Sequence, residues 1–156
     1  GTEHKSTTER LQGYKEALTL NNIEVNEKLV FEGEYSFDSG VAGAKTLMAE
    51  EVRPSAIFSC NDEIAAGALF SARLMGIDIP EQLSLAGFEN SPFSRQTWPK
   101  LTTADQPNQQ IAEDAANMLI NQIRNKPNLC LSANFTPQLV IRDSSKEAQS
   151  ETETLT

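Results

Sequence analysis

Apolar positions fall into segments whose rhythm alternates between helical spacing and short unbroken runs. Leu11, Tyr14, Ala17 and Leu18 recur every three or four residues behind Ser6 and Glu9, which have capping-box spacing, so a helix is predicted over 7–21, stopped by Asn21 and Asn22. The stretch 28–33, β-branched and aromatic with a glycine at its end, predicts a strand. A second helix carries Val41, Ala44, Leu47 and Met48 behind a cap at Asp38 or Ser39 and ends by Glu51, because Pro54 forbids continuation. The run 55–60 is apolar without alternation, as suits a strand buried on both faces of a parallel sheet. Asn61 then caps a helix with Ile64, Ala65, Ala68, Leu69, Ala72 and Met75 on one face and Gly76 at its end. A third strand is predicted at 83–88. From 91 to 110 three prolines and many Thr, Asn and Gln predict a long loop with an extended piece at 101–104. Ile111, Ala115, Met118, Leu119 and Ile123 form the clearest helical period, and 138–142 reads as a last strand. The Ser, Glu and Thr of 143–156 predict a disordered tail.

Strands alternating with helices imply an α/β fold, a mainly parallel sheet flanked by helices, in one domain over 1–142. Ligands in such folds gather at the carboxyl ends of the strands, which directs attention to the residues there. The 156 residues, 38% apolar, suffice for one core. Thirteen Lys and Arg against twenty-two Asp and Glu leave a net charge of -9, which argues against a nucleic-acid surface on this chain. The longest apolar runs are only a few residues, far short of the roughly 20 a membrane span needs, and the polar start shows no export pattern. The expectation is a soluble, cytoplasmic protein with no membrane partner. Cys60 and Cys130 have no metal-ligand spacing and His4 is the single histidine, so no metal or other cofactor is expected. The cysteines read as a reduced pair of small hydrophobes, with a disulfide as the open alternative.

Polar groups follow the first three predicted strands: Tyr35 and Ser36, then Asn61, Asp62 and Glu63, then Glu89 and Asn90, with Arg10 at the start of the first helix. Amide, carboxylate and guanidinium groups are planar and multidentate, so they can satisfy neighbouring hydroxyls of a polyol while an aromatic ring covers its C–H face. The set suits a sugar. Each residue also has a plainer role: Asn61 as a helix cap, Glu89 as a solvated turn residue, Arg10 in a surface ion pair, Tyr35 as an edge aromatic.

As an ordered set, the segments 54–62, Gly67, 76–88 and 101–103 resemble the effector-binding core of the lactose/galactose-repressor (LacI/GalR) family of bacterial transcription regulators. Arg10-Leu11-Gln12-Gly13-Tyr14 before Ala17-Leu18, and Gln138-Leu139-Val140-Ile141-Arg142, extend the resemblance over about 1–144. It implies a type I periplasmic-binding-protein-like core with a small, commonly sugar-like effector between two subdomains. By position it makes Arg10, Tyr35, Asn61 and Glu89 effector-binding residues, with Gln106 near the cleft hinge. Glu89 stands where the family usually has Asp, which implies a differently shaped cleft, and Pro107 and Asn108 replace an apolar or aromatic residue of some members. Trp98 is expected to be a buried anchor of its loop, or second a lip of the cleft.

The family begins with a DNA-reading helix-turn-helix and a first subdomain, so this chain is expected to be about the carboxyl-terminal half of a regulator, a partial effector-binding domain. Ile111, Met118 and Leu119 would then lack their usual cover, and an exposed stripe of that kind favours self-association. A homodimer is expected, with the helix 64–75 a candidate part of its interface. The implied function is allosteric control of DNA binding through a head outside this chain. A transport-type periplasmic sugar-binding protein is the nearest rival. A glycoside hydrolase using Asp62, Glu63 and Glu89 is remote, since carboxylates at a helix start favour the dipole's positive end.

Overall fold

Ala56–Phe58 (β1), Ser84–Phe88 (β2), Thr102–Asp105 (β3) and Gln138–Val140 (β4) form one sheet in that order, in a computed structural model describing residues 5–124 and 132–148. The first three strands run parallel and β4 is antiparallel to β3, with Ile57 opposite Leu85, Gly87 opposite Thr103 and Ala104 opposite Leu139. The helices are Lys5–Leu20 (α1), Phe37–Met48 (α2), Asp62–Leu74 (α3), Pro92–Gln96 (α4) and Asn108–Ile123 (α5). This is the expected α/β architecture, and it directs the carboxyl ends of β1, β2 and β3 to one edge.

The core lies where α3 packs against both α2 and β2. Ala65, Ala68, Leu69 and Ala72 of α3 meet Ala44 and Met48 of α2, and Leu83, Leu85 and Leu101 are fully enclosed beneath them. Small side chains let these layers approach closely, so dispersion contacts form between backbones as well as side chains. The two helices touch reciprocally. A Cβ on Gly40 would collide with the Ile64 carbonyl, and one on Gly67 with the Phe37 carbonyl.

Several expectations change. The predicted strand at 28–33 is absent: Glu27–Leu29 forms a 3-10 turn with Asn26 Oδ1 accepting from the Lys28 amide at 3.1 Å, a local side-chain bond that competes with sheet pairing. β1 is shorter than 55–60 and lies at the sheet edge, so Ala56 and Phe58 are exposed rather than buried on both faces. Ser6 lies inside α1 and does not cap it, while Ser36, not Asp38 or Ser39, caps α2 by accepting from the Ser39 amide at 3.2 Å. The loop 91–110 contains α4, which Pro92 can open because its missing N–H falls among the first-turn donors that have no intrahelical partner.

The predicted tail also changes. Ser144 is completely buried between β2 and β3: Leu85 N donates to its carbonyl at 2.7 Å, its Oγ donates to the Leu85 carbonyl at 2.6 Å, and Thr102 N donates to that Oγ at 2.8 Å. Its backbone and side chain thus bond both strands, so order extends past 142. Residues 149–156 of the predicted tail lie outside the described residues. Among the described residues, no helix is long and apolar enough to cross a membrane.

Gly67→Ala should lower stability by about 1–3 kcal/mol through overpacking. Gly13→Ala, at an open position within α1, should raise it by about 0.4–1 kcal/mol, both read as shifts in the denaturant midpoint.

Candidate functional site

At the carboxyl ends of β1 and β2, α1 delivers Arg10. Its Nη1 donates to the Cys60 carbonyl at 2.7 Å, and its guanidinium sits 4.1 Å from the centroid of the Phe88 ring. Carbonyl and ring together hold the cation in one place, the second by its quadrupole. Beside it opens a cleft of about 590 Å³ whose lining includes Arg10, Tyr14, Phe58, Phe88 and Gln106. Guanidinium and amide groups here stand beside two aromatic faces, an arrangement able to orient a small hydroxylated molecule and cover its apolar side.

Glu89 follows β2 directly. Burial pushes its carboxyl above the ordinary glutamate range, opposed by Arg10 and reinforced by the negative charges of Asp62 and Glu63. Asn61 follows Cys60 and is buried, and its Oδ1 accepts from the Ile64 amide at 2.8 Å. The helix-cap role is therefore real, and it consumes the carbonyl while leaving the amide Nδ2 without a partner among the described residues. Tyr35 is partly exposed and its hydroxyl lies 2.7 Å from Thr7 Oγ1, one turn before Arg10 on α1. Arg10 and Gln106 thus share the cleft, Glu89 and Asn61 border Arg10, and Tyr35 stands at the amino end of α1 outside the cleft lining.

Asp62 has another task. It is fully buried, Thr103 Oγ1 donates to its Oδ1 at 2.6 Å and the Ser91 amide to its Oδ2 at 2.6 Å. Gly87 makes room for this carboxylate, since a Cβ there would collide with Oδ1. With both oxygens engaged and no access to solvent, Asp62 cannot act in a carboxylate pair on a glycoside. Glu63 Oε1 accepts from the Phe37 amide at 3.2 Å. Among the described residues no cluster of three or more His, Cys, Asp or Glu could hold a metal ion. Burial raises the Cys60 thiol above its ordinary range, against the pull of Arg10, and Cys130 lies outside the described residues. Trp98 is 73% exposed, so it is no buried anchor, and the cleft lining does not include it. The loop is instead held by Ser94, whose amide donates to the Ser91 carbonyl and whose own carbonyl accepts from the Leu101 amide.

Sequence reasoning missed Phe58 and Phe88 as cleft residues because both sit within strands and read as core. Their place as the last residues of β1 and β2, next to the polar groups already singled out, was the available signal.

Residues 1–145 match the model of the periplasmic binding protein-like domain. The chain belongs to this family, in its LacI/GalR regulator branch. It is 32% identical over 145 residues to the transcriptional repressor PurR of Vibrio vulnificus, covering 93% of this chain and 43% of that protein. It is 34% identical over 135 residues to the ribose operon repressor of Haemophilus influenzae, covering 86% and 41%. Among solved structures, a transcriptional regulator CelR–cellobiose complex superposes with a TM-score of 0.87 at 28% identity, over 93% of this chain and 44% of that one. A LacI-family sugar-binding transcriptional regulator from Escherichia coli complexed with phosphate gives 0.84 at 30% identity, over 92% and 51%. The chain thus spans about half the length of these family members or less. These relatives are transcription regulators.

The raised Glu89 carboxyl has a consequence for stability. Because its folded pKa lies above its unfolded one, the native state holds the proton longer, and the charge destabilises the fold as pH rises through that window. Glu89→Gln, which cannot ionise, should remove this dependence: as pH rises from the ordinary glutamate range upward, the wild-type denaturant midpoint should fall relative to the variant's. Parallel midpoints across that range would contradict the assignment.

Proposed function

We propose that this domain is the effector-sensing and dimerisation unit of a cytoplasmic transcription regulator. A small, sugar-like molecule binds at the carboxyl ends of β1, β2 and β3, and its occupancy is transmitted to a DNA-binding head outside this chain. The observation that carries the reading is the meeting of Arg10, Gln106, Phe58 and Phe88 in one cleft, with Glu89 electrostatically coupled to Arg10 and Asn61 next to the Cys60 that Arg10 bonds. Arg10 donates to ligand hydroxyls from the edge not taken by Cys60. The Asn61 Nδ2 donates beside it, Glu89 accepts, Phe58 and Phe88 offer apolar faces, and Tyr35 closes the rim. The ribose operon repressor and the CelR–cellobiose complex support a sugar by their names.

Allosteric control requires that the effector bind one closure state more tightly than the other, and only that difference shifts the equilibrium. In this reading the far wall of the cleft comes from another subdomain, and α5 packs on that subdomain through Leu119, Ile120 and Ile123, all exposed here. Self-association uses the face of α3 bearing Phe70 and Leu74, also exposed; Leu69, by contrast, is core.

Calorimetry of the intact regulator against a panel including ribose and cellobiose tests the reading. At least one sugar should bind, and Arg10→Ala should weaken it tenfold or more, about 1.4 kcal/mol. Asn61→Ser, which retains a capping oxygen, should weaken it while leaving the unfolding midpoint nearly unchanged. Binding of no sugar, or unchanged affinity in both variants, would contradict the proposal.

A further inference from the structure

Glu89 and Asn90 both have positive φ, 105° and 54°. Asparagine tolerates this region, but a glutamate at 105° is strained, and such strain persists only where the surroundings impose it. The constraints can be named. The Glu89 amide donates to the Ala104 carbonyl at 2.8 Å, the Asn90 amide to Thr103 Oγ1 at 3.3 Å and the Ser91 amide to Asp62 at 2.6 Å. The side chain of Asn90 is held from another direction: Arg142, just beyond β4, donates from Nη2 to Asn90 Oδ1 at 2.6 Å and from Nη1 to the Leu101 carbonyl at 2.7 Å. Ser94 Oγ adds a weaker bond to the same Oδ1 at 3.3 Å. The two ends of the guanidinium fork thus connect the loop after β2 to the segment entering β3.

We propose that Arg142 is a positioning residue for the cleft: through Asn90 it locks the left-handed Glu89–Asn90 step and so fixes the Glu89 carboxylate beside Arg10. Arg142 touches no ligand in this scheme. A lysine in its place keeps the charge but cannot span both acceptors with a planar fork. The inference uses the proposed function only in treating Glu89 as a cleft residue, and its test needs no ligand.

Glu89 faces Arg10 of α1 and Asp62 and Glu63 of α3, so its ionisation reports where its carboxylate lies. In the intact protein, the side-chain carboxyl of Glu89 should be followed by carbon NMR against pH, its signal assigned with Glu89→Gln. Wild type should titrate above the ordinary glutamate range. In Arg142→Lys and in Asn90→Gly the midpoint should move away from the wild-type one, because both the burial and the Arg10 contact of the carboxylate change. Asn90→Gly removes the acceptor while relieving the positive φ, so its unfolding midpoint should hold or rise even as the titration moves. An unchanged Glu89 titration in the two folded variants would overturn the proposal. So would failure of Asn90→Gly to unfold cooperatively, because the clamp would then serve the fold and not the carboxylate. Neither result bears on whether a sugar binds, which calorimetry decides separately.

Discussion

The buried carboxylate of Asp62 is the constraint from which the rest of the site follows. It opens α3, where unpaired amides favour a negative charge, yet its oxygens are spent on partners in two other segments, Thr103 in β3 and the Ser91 amide after β2. A charge out of contact with water is tolerated only when its lone pairs are taken up. Meeting that condition forces the amino end of α3, the carboxyl end of β2 and the middle of β3 into one arrangement. Gly87 is part of the same solution, since any side chain there would displace the carboxylate. Asn61 precedes Asp62 and Glu89 precedes the loop that Asp62 holds, so the cleft border inherits its geometry from a group that never reaches the cleft.

Around this carboxylate the polar groups form a continuous weave. Thr103 Oγ1 donates to Asp62 and accepts from the Asn90 amide; Asn90 accepts from Arg142; Thr102 Oγ1 donates to the Arg142 carbonyl at 3.2 Å, and Ser144 joins β2 to β3 two residues further on. On the opposite side of α3 the cohesion is of another kind, alanines and glycines packed closely enough for helix backbones to touch. The domain therefore has an apolar half that is stable by close packing and a polar half that sets positions.

How legible this was in the sequence depended on how local each signal is. The helix after Asn61 and the strands at 56–58 and 84–88 were readable because cap, apolar run and glycine stop lie within a few residues of one another. The mainly parallel α/β class followed from the alternation, whereas the order of the strands was not predicted. The strand predicted at 28–33 failed because Asn26 offered the backbone a nearer hydrogen bond than any sheet partner. The tail was misjudged at Ser144 because a single buried serine leaves no periodic trace, and its partners Leu85 and Thr102 lie more than forty residues away. In the site, Arg10, Asn61 and Glu89 were found as strand-end or helix-start groups, and Gln106 only through the family resemblance. Asp62 was read as a helix-dipole residue, and its cross-chain bonds to positions 91 and 103 had no sequence signature. Phe58 and Phe88 looked like core because a strand residue's face is decided by what covers the sheet, which short runs do not reveal.

The central claim is that Asp62 and Thr103 act as one unit holding the strand ends. A double-mutant cycle on Asp62→Ala and Thr103→Val, read by denaturant unfolding, tests it most directly. A coupling energy of about 1–3 kcal/mol between the two sites is predicted, as for residues within one hydrogen-bond network. Effects that simply add, to within about 0.5 kcal/mol, would contradict the account.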